Sequence, residues 1–390
     1  MKLKWNSYSF YGVAMLLMIV LITGRFLASG YDFSYFFVAG TDFVDATKTT
    51  TPIIIQQGQG YDGQFFYRYA LNPFDFAETN YGIKVDLVPY RMQRIGYPLL
   101  VWIFSLGGNA VLVPFILVFV NMLAFLGILF FTQRFIKFSK GLEMQGMMAF
   151  FLFGIYMSIA RDLSEVTELF FFLGAVCYYF NKEIEKFSLL AVMTVLCRET
   201  SLIALAPFIL IGSFNTIQYS KKYLNLFWFS LPVVIYLFWK WFIGTHTESE
   251  QLINGSGNLG MPFAGLWAGF LGNLDISTTK NKLQLLFWIL YFVWQCWFII
   301  KVISCISKNK QQNRRLWKPL SIIYISWLIF ALFLSAAVYV DDWSFVRVFS
   351  LWNMTGILIL IASRQSTGNT FNIYSWILVA LTLGRLIIRP

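Results

Sequence analysis

The most chemically suggestive stretch of the sequence is residues 60–68, which read GYDGQFFYR. Asp62 lies there between a tyrosine and a glycine, and a carboxylate so placed can act as a general base toward a hydroxyl group. Gly63 would allow the backbone to turn or to approach a ligand closely. A short helix is expected to follow and to carry Gln64, Tyr67 and Arg68. The alternative is a folded loop whose acidic and basic residues pair only with one another.

A second polar stretch, residues 86–98, reads DLVPYRMQRIGYP and adds cations to the first. Arg91 and Arg94 are three residues apart, so they share a face if the segment is helical. Their planar guanidinium groups, like that of Arg68, suit a phosphate or pyrophosphate group. The same stretch contributes two more candidate binding residues, Asp86 and Tyr97.

Residues 161–168, which read RDLSEVTE, form the next polar cluster. On a helix, Arg161, Glu165 and Glu168 would fall on one face, with Asp162 beside them. The two glutamates open a strongly apolar run, where a charge is costly. One interpretation is a solvated helix start at which the helix dipole favours acids. The other is a substrate or cation site that faces the stretch around Asp62.

Two further arginines lie at the edges of apolar runs. Arg198 and Glu199 separate two such runs, either as an internal ion pair at a bend or with Arg198 facing an anionic ligand. Arg347 ends residues 341–347 (DDWSFVR), where it can bind a lipid phosphate or snorkel to the membrane interface.

Signals for metal binding are weak. The adjacent Asp341 and Asp342 could hold a divalent cation, but a lone pair of acids is poor evidence. The single histidine, His246, lies near Glu248 and Glu250, and without a second histidine it predicts no zinc site. Buried free thiols are expected for the cysteines at 177, 197, 296 and 305, because each lies in or beside an apolar run and none forms a CxxC pair.

The composition indicates which elements must position these residues. The chain has 390 residues, of which 58% are hydrophobic and 13% charged, with a net charge of +11. A soluble protein of this length needs far more polar surface, so a soluble enzyme and a disordered chain are excluded. The basic residues are scattered between apolar runs, which excludes a nucleic-acid binder. We predict an all-α polytopic membrane protein, with residues 1–390 as one transmembrane domain.

Apolar runs that can cross a bilayer recur along the chain. A bilayer core about 30 Å thick needs about 20 mostly apolar residues per helix. Convincing runs lie near 10–29, 110–132, 143–160, 223–244, 283–304, 319–338 and 347–363, and shorter ones near 166–181, 186–197, 200–214 and 373–388. We therefore predict about eleven transmembrane helices. Residues 96–106 are too short to cross and are expected to form an interfacial or re-entrant helix.

Basic loops set the orientation through the positive-inside rule. With an uncleaved first span and a cytoplasmic N-terminus, the inside loops hold Lys2, Lys4, Arg134, Lys137, Lys140, Lys182, Lys186, Lys221, Lys222, Lys308, Lys310, Arg314, Arg315, Lys318 and Arg364. The outer side then holds a long first loop (30–95), a second loop (245–282) and the tips 161–168 and 340–347. The candidate acids and arginines are therefore expected to share the outer face.

The chain is predicted to begin with one span, which is followed by a long polar outer loop and then by many more spans. This order of elements resembles the GT-C superfamily of integral-membrane glycosyltransferases. The motifs at 61–68, 90–98 and 198–200 (RET) look like those of a bacterial subgroup linked to cell-surface glycopolymer formation. The resemblance implies an enzyme of the bacterial cytoplasmic membrane that moves a hexose from a polyprenyl phosphate to a glycan or lipid acceptor at the outer face, with inversion. It also implies a catalytic aspartate in the first outer loop.

That aspartate maps best to Asp62, while Asp32 and Asp42, nearer the first span, are the alternatives. Under this hypothesis the lipid phosphate would be held by Arg91, Arg94 and Arg198, with Arg347 a weaker candidate. Sugar hydroxyls would contact Glu165, Glu168 and Gln64, and ring faces and hydroxyls would come from Tyr61, Tyr67 and Tyr97. The remaining candidates for substrate binding are Arg68, Asp86, Asp162 and Glu199. Membrane lipids are expected as partners, and nucleic acid is not.

Three other classes remain open. A transporter or flippase would place charges or Gly/Pro breaks at mid-membrane and show two matching halves. A polymerase or ligase of lipid-linked glycans usually has its large outer loop late in the chain, and a structural subunit would leave the outer charges unexplained. The enzyme hypothesis predicts that one outward-facing cavity collects Asp62, Glu165, Arg198 and Arg347.

Overall fold

Long apolar helices dominate the computed structural model, which describes residues 7–220, 223–247, 257–274, 276–308, 314–365 and 367–388. The chain is 73% helical, so the all-α prediction holds except for four two-residue strands in these ranges. Several loop residues used for orientation or noted beside the histidine lie outside the described residues, namely Lys2, Lys4, Lys221, Lys222, Lys310, Glu248 and Glu250.

The helices follow one another with short connections, apart from a long segment after the first. That part of the chain contains α1 (Ser7–Ala28), α2 (Gly63–Leu71), α3 (Val88–Met92) and α4 (Gly96–Phe104). Next come α5 (Val113–Ser139), a 3-10 helix (Glu143–Phe151), α6 (Phe153–Ala160), α7 (Glu165–Phe180), α8 (Ile184–Cys197), α9 (Ser201–Asn215) and α10 (Leu224–His246). The last are α11 (Ala264–Gly272), α12 (Thr279–Lys308), α13 (Arg314–Leu332), α14 (Ala336–Tyr339), α15 (Asp342–Val348), α16 (Ser350–Ser363) and α17 (Asn369–Ile388).

Several of these helices indicate an integral membrane protein. In the described ranges, six are long and apolar enough to cross a membrane, namely Ser9–Ala28, Val113–Ser139, Ser201–Tyr219, Leu224–His246, Thr279–Lys308 and Asn369–Ile388. Two bent pairs raise the number to eight if each pair is one span. The prediction of about eleven is not confirmed. At 1.5 Å per residue, α7 and α8 rise only about 24 and 21 Å, less than the roughly 30 Å of a bilayer core.

The two bent pairs differ from the straight spans predicted there. The 3-10 helix Glu143–Phe151 meets α6 at 49°, and α15 meets α16 at 50°. The predicted span near 319–338 also ends early, because α13 stops at Leu332 and the separate turn α14 follows. Because of these breaks, the polar residues described below lie beside the ends of helices and not beside the middle of a continuous helix.

The segment between α1 and α5 folds over a second apolar core, which it shares with residues of α5, α7, α8 and α10. Phe37, Ile83 and Val101 are completely buried in it, and every residue of α2 is buried. Two small ladders brace it, a parallel pair of β1 (Ala39–Gly40) with β2 (Ile55–Gln56) and an antiparallel pair of β3 (Thr79–Asn80) with β4 (Ile83–Lys84). The predicted short helix after Asp62 is confirmed as α2, and the predicted short helix at residues 96–106 as α4.

Two glycines let this segment lie directly against the helix ends. A Cβ atom on Gly63 would sit 2.2 Å from the Arg161 carbonyl oxygen, and one on Gly96 would sit 2.8 Å from the Cys197 amide nitrogen. Any side chain at either position would force the backbones apart. Gly63 therefore serves the close approach of two protein backbones, where the sequence suggested a turn or contact with a ligand.

A buried ion pair closes the loop after α2. The Arg68 side chain is completely buried, lies 3.2 Å from Asp75 Oδ2, and donates to the Glu78 carbonyl oxygen at 2.9 Å. A second, exposed pair lies close by, where Lys84 Nζ is 3.1 Å from Glu78 Oε1 and the two side chains are 59% and 63% accessible. The Arg68–Asp75 pair is therefore buried, whereas the Lys84–Glu78 pair in the same region is exposed to solvent.

We predict that Arg68→Met opens this region far more easily than Lys84→Met. Removing one partner of a buried pair typically costs about 3–5 kcal/mol, whereas an exposed pair is worth about 0–1 kcal/mol. Hydrogen exchange of α2 and of the β3–β4 hairpin in detergent micelles measures the local opening free energy. Equal protection in the two variants would contradict the structural role given to Arg68.

Candidate functional site

Asp62, which precedes α2, is held between two arginines from distant parts of the chain. Arg91 Nη1 lies 2.9 Å from Asp62 Oδ1, and Arg347 Nη1 donates to Oδ2 at 2.9 Å. The Asp62 side chain is 21% accessible. Burial acts to raise the pKa of this carboxyl group, but the two arginines outweigh it and hold the pKa well below its ordinary value. In this state Asp62 is a weak base.

A buried carboxylate, Glu165, gathers two of the arginines at the start of α7. Its Oε1 lies 2.5 Å from Arg198 Nη1 and 3.2 Å from Arg347 Nε, and Ser158 donates to Oε2 at 3.3 Å. A buried charge needs such partners because it has lost its hydration. Arg347 thus bridges Asp62 and Glu165 and ties α15 to both.

Arg94 joins the first loop to the connection between α8 and α9. Its Nε and Nη2 donate to the two carboxylate oxygens of Glu199 at 3.0 and 2.8 Å, and Nη2 also donates to the Tyr90 hydroxyl at 2.7 Å. Burial acts to raise the pKa of Glu199, but Arg94 lowers it to about 2. Arg198 and Glu199 are adjacent in sequence, yet they form ion pairs with different elements.

A cavity of about 420 Å³ lies beside this cluster. Four of the predicted residues line it, namely Arg94, Arg198, Glu199 and Arg347. Asp62 and Glu165 lie behind this wall, each in contact with Arg347. The rest of the lining combines polar and aromatic groups with an apolar side formed by Leu259, Phe330, Leu334, Ala337, Val338 and Val348. The cavity can therefore accept a ligand with an anionic head and an apolar portion.

The wall behind Arg347 is built from rings and cations. The Tyr61 ring lies 5.3 Å from the Arg347 guanidinium carbon and 4.7 Å from that of Arg161, which also lies 4.2 Å from the Trp343 ring. Burial raises the pKa of Tyr61 to about 12. Cation–π contacts of this kind hold arginines in place without neutralising their charge.

Helix α15, which carries Arg347, is anchored at its first residue. Asp342 is completely buried and forms an ion pair with Arg385 of α17, whose Nη2 donates to Asp342 Oδ1 at 3.1 Å. Asp341 accepts from the Ser344 amide at 2.6 Å and caps the same helix. The two acids considered for a divalent cation thus serve an ion pair and a helix cap.

Several predicted substrate contacts lie away from the cavity. Gln64 accepts from the Gly40 amide and donates to the Gln59 carbonyl, while Tyr67 stacks on Phe37 and Tyr97 donates to the Leu117 carbonyl. Ser201 donates to Glu168, Arg68 pairs with Asp75, and Asp86 pairs with Arg91. Each of these side chains contacts protein groups that fix the fold around the site.

Asp162 is a different case, because it is completely buried and neither carboxylate oxygen has a hydrogen-bond partner. Burial raises the pKa of this group well above its ordinary value. Its backbone φ is +49°, so the chain changes direction there. The prediction that Arg161, Glu165 and Glu168 share one helical face is wrong, since Arg161 follows the last residue of α6 and α7 begins only at Glu165.

The sequence reasoning missed several residues that line the cavity, namely Tyr90, Gln93, Tyr236, Lys240, Asn258 and Ser344. Tyr90 and Gln93 belong to the polar stretch at 86–98, so the sequence could have indicated them. Tyr236 and Lys240 are four residues apart on the long apolar helix α10, and a polar pair on one face of such a helix is itself a signal. Ser344 belongs to the polar stretch at 341–347, whereas Asn258 carried no comparable signal.

The alternative bases lie elsewhere. Asp32 accepts from the Ser34 amide at 2.8 Å and caps a short 3-10 turn, and Asp42 is exposed. Among the described residues, no group of three or more His, Cys, Asp or Glu side chains is placed to hold a metal ion. All four cysteines are free, and those at 177, 197 and 305 are buried as predicted, whereas Cys296 is only half-buried.

Comparisons with known proteins add no relative, because no protein-family model, curated protein or solved structure matches the chain. The likeness to the GT-C superfamily therefore stays a prediction from the sequence motifs. The geometry of the cluster itself is therefore the basis for inferring a function.

We predict that the stability contributed by Glu199 depends on pH below about 5. Its pKa falls from 4.5 to about 2 on folding, so the contribution is fully present above the unfolded value and is lost as pH falls toward the folded one. Thermal unfolding of the wild type and Glu199→Gln in detergent should differ by a constant amount from pH 8 to 5, and the difference should shrink toward pH 2.

The control for this measurement is Glu78→Gln, which removes the exposed partner of Lys84. An exposed pair is worth about 0–1 kcal/mol, so this variant should stay close to the wild type at every pH. A Glu199→Gln difference that stays unchanged down to pH 3 would contradict a charged, paired Glu199.

Proposed function

We propose that the protein is a membrane glycosyltransferase that transfers a hexose from a polyprenyl-phosphate donor to a hydroxyl group of a glycan or lipid acceptor. We place the reaction at the outer face of the bacterial cytoplasmic membrane and expect inversion at the anomeric carbon. One observation carries the proposal. Asp62, Arg347, Glu165 and Arg198, from four separate segments, meet beside a single cavity with charged and apolar walls.

Arginine and lysine side chains suit the phosphate of such a donor. Arg94, Arg198, Arg347 and Lys240 line the cavity, whereas Glu199 is the single carboxylate among the lining residues that the structure describes. As the sugar–phosphate bond breaks, negative charge grows on the phosphate, and fixed cations in a low-dielectric site stabilise it strongly. Guanidinium groups also orient the phosphate through paired hydrogen bonds.

Other lining residues suit a sugar and a lipid. Tyr90 and Tyr236 offer rings and hydroxyls, and Gln93 and Asn258 offer amides for sugar hydroxyl groups. Tyr236 already donates to Gln93 at 3.0 Å, and Asn258 donates to Tyr90 at 3.1 Å. The apolar side of the cavity suits the first carbons of a polyprenyl chain. These residues replace Gln64, Glu168, Tyr67 and Tyr97 as the proposed sugar contacts.

Asp62 is the proposed base. In the reaction the acceptor hydroxyl group gives its proton to Asp62, and its oxygen bonds to the anomeric carbon. The bond from that carbon to the donor phosphate breaks, and its electron pair leaves with the phosphate on the polyprenyl carrier. Asp62 is favoured over Asp32 and Asp42 because it alone of the three contacts Arg347 in the cavity wall.

We predict that Asp62→Asn lowers the rate of hexose transfer by about 10²–10⁴-fold, the usual contribution of a general base. The measurement uses the purified protein in proteoliposomes with a panel of polyprenyl-phosphate hexoses and mixed glycan acceptors. A chelator arm tests the divalent cation that Asp341 and Asp342 suggested in the sequence.

Asp32→Asn and Asp42→Asn are the matched controls, since each removes one carboxylate from the same loop outside the cluster. Both should transfer hexose at the wild-type rate. Full activity of Asp62→Asn would overturn the assignment of the base. Absence of transfer by the wild-type protein with every donor in the panel would overturn the proposed reaction.

A further inference from the structure

Asp62 lies between two guanidinium groups, in a position that suits an anionic ligand. Its two carboxylate oxygens each face a different guanidinium group, at 2.9 Å from Arg91 and 2.9 Å from Arg347. Two arginines that converge on one small oxyanion from opposite sides are the arrangement that proteins use for phosphate and carboxylate ligands. Both arginine side chains are nearly buried, at 12% and 11% accessibility, so solvent offers them little alternative.

The charges of the ion-paired residues cancel. Four arginines, at positions 91, 94, 198 and 347, are joined by ion pairs to four carboxylates, at positions 62, 86, 165 and 199. Apart from the attraction of Lys240, which also lines the cavity, a phosphate gains little from the net charge of this ion-paired cluster. It gains strongly only if an arginine exchanges a protein carboxylate for the phosphate.

Arg347 is the arginine placed to make that exchange. It lines the cavity on one side and contacts Asp62 on the other. Arg198 also lines the cavity, but its partner Glu165 is buried and accepts from Ser158 as well. Asp62 is more accessible than Glu165, with 21% of its side chain exposed against 3%. A carboxylate that can be rehydrated is the easier one to release.

We propose that Asp62 occupies the position of the ligand's phosphate between the two arginines, and that binding of a phosphate ester in the cavity displaces Asp62 from Arg347. This inference rests on the proposed function for the identity of the ligand as a polyprenyl phosphate. It assigns Asp62 two successive roles, first as the occupant of the anion site and then as a free carboxylate beside the bound donor.

The exchange couples base activation to donor binding. While Arg347 and Arg91 hold Asp62, its affinity for a proton is low. Once Arg347 turns to the phosphate, one of the two cations that suppress its basicity is removed. Asp62 can then accept a proton from the acceptor hydroxyl group, so that the base becomes effective only when the donor is in place.

The test measures binding without transfer. A polyprenyl phosphate that carries no sugar, and separately inorganic phosphate, are titrated into the purified full chain in lipid nanodiscs. Because an internal competitor lowers apparent affinity, Asp62→Asn should bind the polyprenyl phosphate more tightly than the wild type, by roughly tenfold within the 5- to 150-fold range usual for coupled sites. Loss of a nearby negative charge also strengthens phosphate binding by relieving repulsion, so a second carboxylate must serve as the control for that effect.

Asp86→Asn is the matched control, since it removes a carboxylate of equal charge from Arg91 without touching Arg347. Its effect should be much smaller than that of Asp62→Asn. Tighter binding of the polyprenyl phosphate alone, or of both titrants, supports the exchange. Unchanged or weaker binding in Asp62→Asn, or equal strengthening in Asp86→Asn, overturns it.

A second neutral variant, Asp62→Ser, repeats the measurement if Asp62→Asn does not fold, with monodispersity and thermal unfolding as checks. The outcome also separates the two proposals. If the wild type transfers hexose but Asp62→Asn does not bind phosphate more tightly, the proposed reaction is supported and the proposed exchange is wrong. If Asp62→Asn binds phosphate more tightly but the wild type transfers no hexose, the exchange is supported and the proposed reaction is wrong.

Discussion

The buried carboxylate of Glu165 is the constraint on which the site depends. A charge removed from water is tolerated only with close opposite charges and hydrogen bonds, and here Arg198 and Arg347 supply them at 2.5 and 3.2 Å. Three elements, α7, the end of α8 and α15, must therefore meet at one point. Because Arg347 also holds Asp62, the same requirement draws in the first loop.

The surrounding helices make this arrangement durable. Gly63 and Gly96 bring the first loop into backbone contact with the ends of α6 and α8, and Arg385 fixes the start of α15 through buried Asp342. A largely apolar scaffold keeps the local dielectric low, which strengthens every ion pair in the cluster and raises the cost of leaving any of them unpaired. The result is a closely packed frame around a cluster of ion pairs.

These ion pairs give the cavity its chemical character. Several polar side chains of the first loop, among them Gln64 and Arg68, bond to the loop's own backbone, so they stabilise the loop and leave ligand contact to others. The groups that face the cavity are arginines from helix ends, a lysine and tyrosine of α10, and an apolar wall. Such a mixture suits a ligand that joins a phosphate, a polar ring and a lipid, which is why a lipid-linked sugar is the proposed substrate.

The sequence by itself determined the class of the protein and the places where charge gathers. Apolar runs predict membrane helices because a bilayer demands continuous apolar length, and tips at 161–168, 198–199 and 341–347 stand out because charge is rare beside such runs. Only the tertiary structure decided which charges meet. Asp62 and Arg347 are 285 residues apart, and the order of helices along a chain does not fix how their ends pack. Local sequence also cannot distinguish the role of Arg68, which closes a loop, from that of Arg91, which reaches the site. Both arginines have tyrosine neighbours in the sequence. Partner choice among equal charges is made by packing and burial, which no short stretch of sequence encodes.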